Sequence, residues 1–525
     1  MKYPVLLGCM LAATACQAQE AAIADCAGRV AVKTSDYYSH ALADVTTTPR
    51  HVLTPSFFGF NLEWMEFQSA LWDSSIKSPT GEKVGGVRPA AVAYLKANFP
   101  GAVYRYPGGS NSNYFDWSVA VGPLATRVAK KQVTWANPGV VAFGPDEYLK
   151  FVRDVGGQAW YVANLYGNTA GELTAAQLAD SAGKLAAFMK KERDAGLPGV
   201  SRWELGNELE RTPIFWQPEK VSAKAATVEA AILAADPSAK FVSFLQEYAA
   251  LPSVTTATYN GKIAAALKTV VKDYAMHLYY DGEPNGQPIN QKMFAVCRAI
   301  THAKSVGVTT PSIYVTEHGR IPPGAFATPD WSYLYSGTAD MTAALGVADF
   351  LIAAALTPEI KGTMVHALHA SNGPWPTLHQ PPGADSYPAA TMVAMTALRA
   401  AMLPNVLEST TSSKNVSAYG GGYDFRAVTM SDDARKKYAI WAVNRSAQRI
   451  VVKFKLPALK SLKLNVAFNH VNQTGSASSN YSYKSAVAAT KETALMQFDA
   501  NGEASVTLYP QSVSTFTIDP AMIAK

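Results

Sequence analysis

The 525-residue sequence predicts an α/β fold, a (β/α)8 TIM barrel with a C-terminal all-β sandwich domain. Three observations predict it. From about residue 56 to 370, eight short β-rich runs alternate with Ala/Leu/Lys-rich stretches of helical period, the pattern of repeated βα units around a parallel sheet. After Asn405 the texture changes to alternating strands separated by Gly, Ser and Asn turns, as in a sandwich. The composition, 48% hydrophobic and 16% charged, excludes a disordered chain and leaves enough apolar surface for a large core.

Residues 1–18 have the layout of a secretory signal: Lys2 precedes an apolar run from Val5 to Ala15, too short to span a membrane, and small residues follow. Cleavage after Ala18 removes the whole segment. Cleavage after Ala15 (a lipoprotein signal, 1–15) leaves Cys16 at the new N-terminus as a lipid anchor. The chain is therefore expected to be exported by a bacterium and to be periplasmic, tethered to the outer membrane or secreted, with no transmembrane segment. Residues 19–55 form a lead-in that partly joins the sandwich through a strand near 29–33. Cys26 and Cys297 can pair in an oxidising compartment or stand as two buried thiols.

Within the barrel, 56–400, strands are expected at 57–63, 103–106, 159–164, 203–208, 241–244, 274–277, 313–317 and 363–367. Helices are expected at 90–98, 145–155, 174–195, 219–235, 261–273, 291–306 and 336–356, the last apolar nearly throughout. The sandwich, 401–525, is expected to hold strands at 438–444, 450–456, 463–468, 503–508 and 514–518.

The 46 Lys and Arg against 40 Asp and Glu give a net charge of +6, but the basic residues are scattered in pairs, and no stripe suggests a nucleic-acid partner. No Gly-X-Ser-X-Gly elbow, Walker loop or Gly-X-Gly-X-X-Gly turn occurs, so neither a serine nucleophile of that type nor a nucleotide cofactor is indicated, and no cofactor is expected.

The chemistry lies at two strand ends. Trp203-Glu204-Leu205-Gly206-Asn207-Glu208 is a strand ending in an Asn-Glu pair, and Ile313-Tyr314-Val315-Thr316-Glu317-His318-Gly319 is a second ending in Glu. Counted along the chain these are strands four and seven, and a closed barrel presents such carboxyls at one mouth, where these folds do chemistry. A single Glu there is more often an ion-paired strand terminus. Two on one eight-unit pattern favour the carboxylate pair of a glycosidase, retaining if the carboxyls are about 5–5.5 Å apart. Glu204 and Glu210 are expected to be structural.

Further motifs sharpen this. Arg105-Tyr106-Pro107-Gly108-Gly109 with Tyr114-Phe115-Asp116-Trp117, Ala163-Asn164-Leu165-Tyr166-Gly167, His277-Leu278-Tyr279-Tyr280 and Trp441-Ala442-Val443-Asn444-Arg445, together with the two Glu motifs, resemble the clan A retaining glycoside hydrolases and most of all the family 51 α-L-arabinofuranosidases. The resemblance implies that Glu208 is the acid/base and Glu317 the nucleophile. A second carboxylate nearby is expected to raise the pKa of Glu208, and Arg105 to keep Glu317 ionised. Asn207 would hydrogen-bond the hydroxyl next to the anomeric carbon; Tyr279, or its neighbour Tyr280, would donate to the nucleophile; Glu63 would accept sugar hydroxyls. His277, Asn111 and Trp375 complete the expected substrate contacts.

The sequence also departs from the family pattern. Ser110 separates Pro-Gly-Gly from Asn111, and the nucleophile segment reads Thr-Glu-His-Gly where the family usually has Asp-Glu-Trp. His366, His369, Asn372 and Trp375 give a wetter rim. His318, His366 and His369 suggest a metal only superficially, since a spacing of three on a strand points the last two to opposite faces. Trp64, Trp72 and Trp375 are candidates for stacking on sugar rings. The expected function is an exported retaining glycoside hydrolase acting without a metal on polysaccharide or oligosaccharide side chains, most readily α-L-arabinofuranosyl. The alternatives are another sugar (β-glucuronide, β-xyloside, β-glucoside or D-arabinofuranoside) or a non-catalytic glycan-binding protein.

Overall fold

The computed structural model describes residues 17, 19–43, 49–63, 71–133, 137–211, 213–281, 288–321, 335–369, 375–380, 385–414, 423–474 and 486–524. Cys16, Trp64 and Asn372 lie outside the described residues.

Eight parallel strands close into a barrel in sequence order: β1 (Phe58–Glu63), β2 (Val103–Gly108), β3 (Gln158–Ala163), β4 (Val200–Leu205), β5 (Phe241–Phe244), β6 (Val271–Tyr280), β7 (Ser312–Arg320) and β8 (Ile360–Val365). Their aromatic and β-branched content suits a pleated surface buried on both faces. Inside the barrel, Val103, Trp160, Val242, Phe244, Ala275 and Met364 form an apolar cluster of their own. Period-2 alternation then carries the next inward positions, such as Arg105 two residues beyond Val103, toward the C-terminal mouth. Gly59 shows how tightly the wall is packed: a Cβ there would meet Met364 Cγ at 2.8 Å and the Val103 carbonyl at 2.9 Å.

The crossover helices are α1 (Pro89–Asn98), α2 (Pro145–Asp154), α3 (Ala175–Asp194), α4 (Pro218–Ala235), α5 (Thr256–Leu267), α6 (Ile289–Ser305) and α7 (Met341–Ala355), followed by α8 (Ala390–Ala400). Thr174 starts α3 with a capping box, its hydroxyl accepting from Gln177 N while the Gln177 side chain accepts from the Thr174 backbone N–H. The helix expected at 261–273 forms earlier, because the Thr255 hydroxyl caps it by accepting from Thr258 N and β6 takes the chain from Val271. The helix expected at 336–356 is broken. Asp340 accepts from Ala343 N and starts α7 afresh after a short helix at Tyr335–Ala339. The stretch Gly337–Ala355 is long and apolar enough to cross a membrane by length and composition, yet 94% of it is buried inside the protein.

The sandwich pairs a five-stranded sheet with a seven-stranded one. The lead-in contributes more than expected: Tyr38–Leu42 lies between Ser409–Ser413 and Ile450–Lys455, Lys33–Thr34 pairs with Ser412 and Ser413, and His51–Val52 closes the edge of the larger sheet. Arg426, on a sandwich strand, and Arg445, directly after another, are both fully buried and meet Asp349 of α7, and Arg445 also pairs with Asp281 directly after β6. A disulfide joins Cys26, on a helical segment covering 19–28, to Cys297 of α6 across 271 positions, which settles the pairing left open by the sequence.

Because the disulfide closes so long a loop, its loss acts mainly by freeing the unfolded chain. Cys297→Ser is expected to lower unfolding stability by about 2–4 kcal/mol. Thermal melts with and without reductant check this: reductant should bring the wild type to the variant's midpoint and leave the variant unmoved.

Candidate active site

The barrel's C-terminal mouth is organised by the guanidinium of Arg105 on β2, which is fully buried and uses all five of its N–H groups. Nε and Nη2 donate to the two carboxylate oxygens of Glu204 on β4, each at 2.8 Å. Nη2 also donates to Asn207 Oδ1 at 2.7 Å, and Nη1 donates to Asn61 Oδ1 at 2.8 Å and to Glu317 Oε1 at 2.9 Å. Glu204 is held further by the indole N–H of Trp160 at 2.7 Å and the hydroxyl of Thr316 at 3.3 Å. Gly108 is required here: a Cβ would sit 2.0 Å from Asn61 Oδ1.

Glu317, on β7, receives Arg105 on one oxygen and the Tyr279 hydroxyl on the other at 2.8 Å. The register of β6 thus selects Tyr279; Tyr280 points away, stacking on Phe350 and His318. Burial alone would raise the Glu317 carboxyl, but the neighbouring His277 and His366 rings, the Arg105 cation and the Tyr279 hydroxyl hold it well below the usual carboxylate range. Burial, reinforced by the Glu317 charge, keeps the Tyr279 phenol protonated far above its ordinary range, so it stays a donor.

Glu208 does not end strand four. β4 stops at Leu205, and the chain turns through Gly206 at φ +81° and Glu208 at φ +47°, a left-handed conformation uncommon for glutamate. Strained backbone of this kind concentrates at functional sites. The turn brings Glu208, Glu317 and His277 together, with one ligating atom of each within 4.8 Å of the others. His277 Nδ1 lies 2.7 Å from Glu208 Oε1 and 3.5 Å from Glu317 Oε2. These atoms are close enough for a cation, but each carboxylate already faces a guanidinium that supplies the positive charge.

The expected rise in the pKa of Glu208 is not what the structure shows. Burial and the nearby Glu317 charge do push it up, but Arg211, whose Nη1 donates to Glu208 Oε1 at 2.6 Å, and His277 outweigh them and hold the carboxyl below its ordinary range. Sequence reasoning missed Arg211. The only signal was an arginine three residues after the motif glutamate.

The remaining expected residues are distributed as follows. Asn207 is buried with its Nδ2 lacking any hydrogen-bond partner, a donor left free beside the carboxylates. Asn111 lies on the short helical turn Gly109–Asn113, where its carbonyl accepts from Tyr114 and Phe115; Asn113 is the residue that reaches the site, donating to the Asn207 carbonyl at 2.8 Å. Glu63 ends β1, and its side chain is outside the described residues. Trp375 places its ring 5.0 Å from Tyr279 and 5.5 Å from His366, its indole N–H donating to the Arg320 carbonyl. Trp72 is buried edge-on against Phe143, on a small two-stranded sheet with Gly86–Val87 in the connection after β1. His366 comes to the site, 3.8 Å from Glu317 with Asn61 donating to its Nδ1. His318 stacks on Phe350 with its Nδ1 3.2 Å from the Tyr280 hydroxyl, and burial lowers its pKa to about 3 and keeps it neutral.

Comparison with known proteins bears on the fold that carries these residues. The family model for the α-L-arabinofuranosidase 1 domain matches residues 95–284, which span β2 to β6. The α-L-arabinofuranosidase of Thermotoga maritima, in its arabinose complex, superposes with a TM-score of 0.71 at 15% identity, covering 92% of this chain and 100% of that one. The family 51 arabinofuranosidase of Xanthomonas axonopodis pv. citri gives 0.72 at 15% identity, covering 91% and 99%. In fold the chain resembles the family 51 α-L-arabinofuranosidases, and its residues 95–284 carry the arabinofuranosidase domain pattern. Among curated relatives, an intracellular exo-α-(1→5)-L-arabinofuranosidase of Streptomyces lividans is 26% identical over 187 residues, 34% of this chain and 28% of that protein. A probable α-L-arabinofuranosidase C of Aspergillus niger is 31% identical over 144 residues, 27% of this chain and 28% of that protein. The aligned sequence thus spans little more than a quarter of either relative.

Lysine offers three donors from a point charge where Arg105 offers five in a fixed plane. Arg105→Lys therefore loses at least two buried charge-assisted hydrogen bonds, each worth about 1.5–3 kcal/mol. A loss of at least about 2 kcal/mol in chemical denaturation is expected. Wild-type stability in the variant would contradict the five-donor arrangement.

Proposed function

We propose that this chain is an exported retaining glycoside hydrolase that releases terminal sugars, α-L-arabinofuranosyl before others, from polysaccharides or oligosaccharides. The observation that carries the reading is the approach of the Glu208 and Glu317 carboxylates to within 4.8 Å at the barrel mouth. That separation falls with the retaining enzymes, at about 5–5.5 Å, and below the gap of about 6.5–9.5 Å that an inverting enzyme leaves for a water.

Glu317, ionised by Arg105 and oriented by Tyr279, attacks the anomeric carbon, while Glu208 gives its proton to the departing glycosidic oxygen. Water then enters, Glu208 takes a proton from it, and the hydroxide displaces Glu317, so two inversions give net retention. The free Nδ2 of Asn207 donates to the hydroxyl beside the anomeric carbon, a contact that strengthens as positive charge develops there. Arabinofuranosyl is favoured by the family relationship. The layout of residues 1–18 and the Cys26–Cys297 disulfide support export, since such bonds persist in oxidising compartments.

The test is hydrolysis of aryl glycosides, led by the α-L-arabinofuranoside and including β-glucuronide, β-xyloside, β-glucoside and D-arabinofuranoside. Glu317→Gln is expected to bind but not turn over. Glu208→Ala is expected to keep activity only on good leaving groups and to gain rate with added azide, which replaces the water that Glu208 would activate. Full activity of either variant on an oligosaccharide would overturn the assignment. Silence of the wild type across the panel, with glycan binding retained, would point to the binding-protein alternative.

A further inference from the structure

Beside Glu208 lies a second carboxyl that the double displacement does not use. Glu210 is completely buried, and among the described residues neither of its carboxylate oxygens has a hydrogen-bond partner. Buried carboxyls without partners are costly and need an explanation. Its nearest cation is Arg211, whose Nε stands 3.4 Å from Glu210 Oε1 and also lacks a hydrogen bond. The same guanidinium donates through Nη1 to Glu208 at 2.6 Å. One arginine thus stands between two carboxyls, tightly bound to one and within reach of the other. The ring of Tyr248 lies 5.0 Å from it.

We propose that Arg211 is a positioning residue that exchanges between two carboxyls: it clamps Glu208 while Glu208 is ionised and shifts onto Glu210 when Glu208 carries the proton it must deliver. This rests on the reading of Glu208 as the acid/base. The proton balance is that of hydrolysis itself: Glu208 loses a proton to the leaving oxygen and regains one from the attacking water, and Arg211 moves charge without taking part in either transfer.

The groups around the pair agree in sign. Facing Glu210 are Arg211, Glu208, His277, Tyr248 and Tyr259; facing Arg211 are Glu208, Glu210, Tyr248 and Glu247, the last paired with Lys292 at 2.5 Å. Burial pushes Glu210 up to about 7 against the pull of Arg211, so near neutrality it is poised to gain or lose its charge. With Glu210 neutral, Arg211 has only Glu208 to pair with. With Glu210 ionised, the cation has a competing anion, and Glu208 is freer to hold its proton.

The basic limb of kcat/KM reports the acid of the free enzyme. Glu208 carries a lowered pKa because of Arg211, so Arg211→Gln is expected to move that limb up by about one pH unit or more. It should also slow hydrolysis of the glycosyl-enzyme, so that kcat on an activated aryl arabinofuranoside, or whichever panel sugar is cleaved, falls several-fold more than kcat/KM and a burst appears. Glu210→Gln removes the competing anion and is expected to move the limb the opposite way. Opposite movements in the two variants support the exchange. A limb unmoved in both, or moved the same way in both, overturns it. Should Arg211→Gln fail to fold, Glu210→Gln carries the test, and an unmoved limb there is the overturning result. Azide rescue of Glu208→Ala runs beside them. Its failure, with full activity retained, removes the acid/base reading itself and is distinguishable from a failure of the exchange.

Discussion

Everything at the barrel mouth depends on the burial of one cation. Arg105 is without solvent access, so its charge must be met by protein groups or the barrel would not close around it. Meeting it takes acceptors from β1, β4 and β7 and from the turn after β4: Asn61, Glu204, Glu317 and Asn207. Because Glu204 occupies the Nε edge of the guanidinium in a two-point contact, the far nitrogen can only face β1 and β7. That fixes the rotamer of Glu317 and leaves its second oxygen to Tyr279. Glu204 therefore has a positional role although it stands outside the reacting pair. An arginine held by Glu317 alone would leave most of its donors unpaired in a dry interior.

The parts of this arrangement on regular strands were legible in the sequence. Arg105 and Glu204 sit in β-rich runs whose period-2 alternation points them inward, whereas Glu317 turns inward through a register shift after Val315, since Tyr314 and Thr316 already hold the inward phase of that strand; the helices and strands between them follow the expected order with shifted ends. Glu208 was legible as a residue type but not as a position, because strand periodicity says nothing about a turn made by positive φ at Gly206 and Glu208. Arg211 and Glu210 were opaque for the same reason: in a polar-looking loop nothing marks Glu210 as fully buried. In the sandwich, the strand Val487–Gln497 was missed because most of its side chains are exposed Ala, Thr, Lys and Glu without apolar alternation, and its partner Lys463–Gln473 supplies the buried positions. Tyr38–Leu42 was missed because a five-residue strand inserted from the lead-in has its partners hundreds of positions away.

The sandwich bears on the site through β6. Asp281, the residue after that strand, is fully buried and takes both terminal nitrogens of Arg445 from the sandwich, while Asp349 of α7 bridges Arg445 to Arg426. Gly346 permits the approach, since a Cβ on it would lie 2.7 Å from Asp281 Oδ2. The strand so anchored carries His277 and Tyr279, two of the groups that touch the carboxylate pair. Removing one partner of a buried ion network costs far more than an exposed pair is worth, so this joint resists small displacements. The sandwich thereby anchors the C-terminal end of β6, the strand that carries Tyr279 to Glu317.

Two cations facing two carboxylates also suit the electrostatics of a double displacement. In the double displacement proposed above, Glu317 would bear the negative charge before the first step and Glu208 the proton; in the covalent intermediate Glu317 would be an ester and Glu208 the anion. That reaction would move one unit of negative charge between carboxyls within 4.8 Å of each other, leaving the total unchanged. Arg105 faces the carboxylate that is charged first and Arg211 the one that is charged second. In a low-dielectric site, an anion created without a waiting cation would be penalised by several kcal/mol. Arg105 cannot follow the charge, since all five of its donors are committed. Arg211 is bound less completely, and it stands beside the carboxylate whose charge must come and go within each turnover.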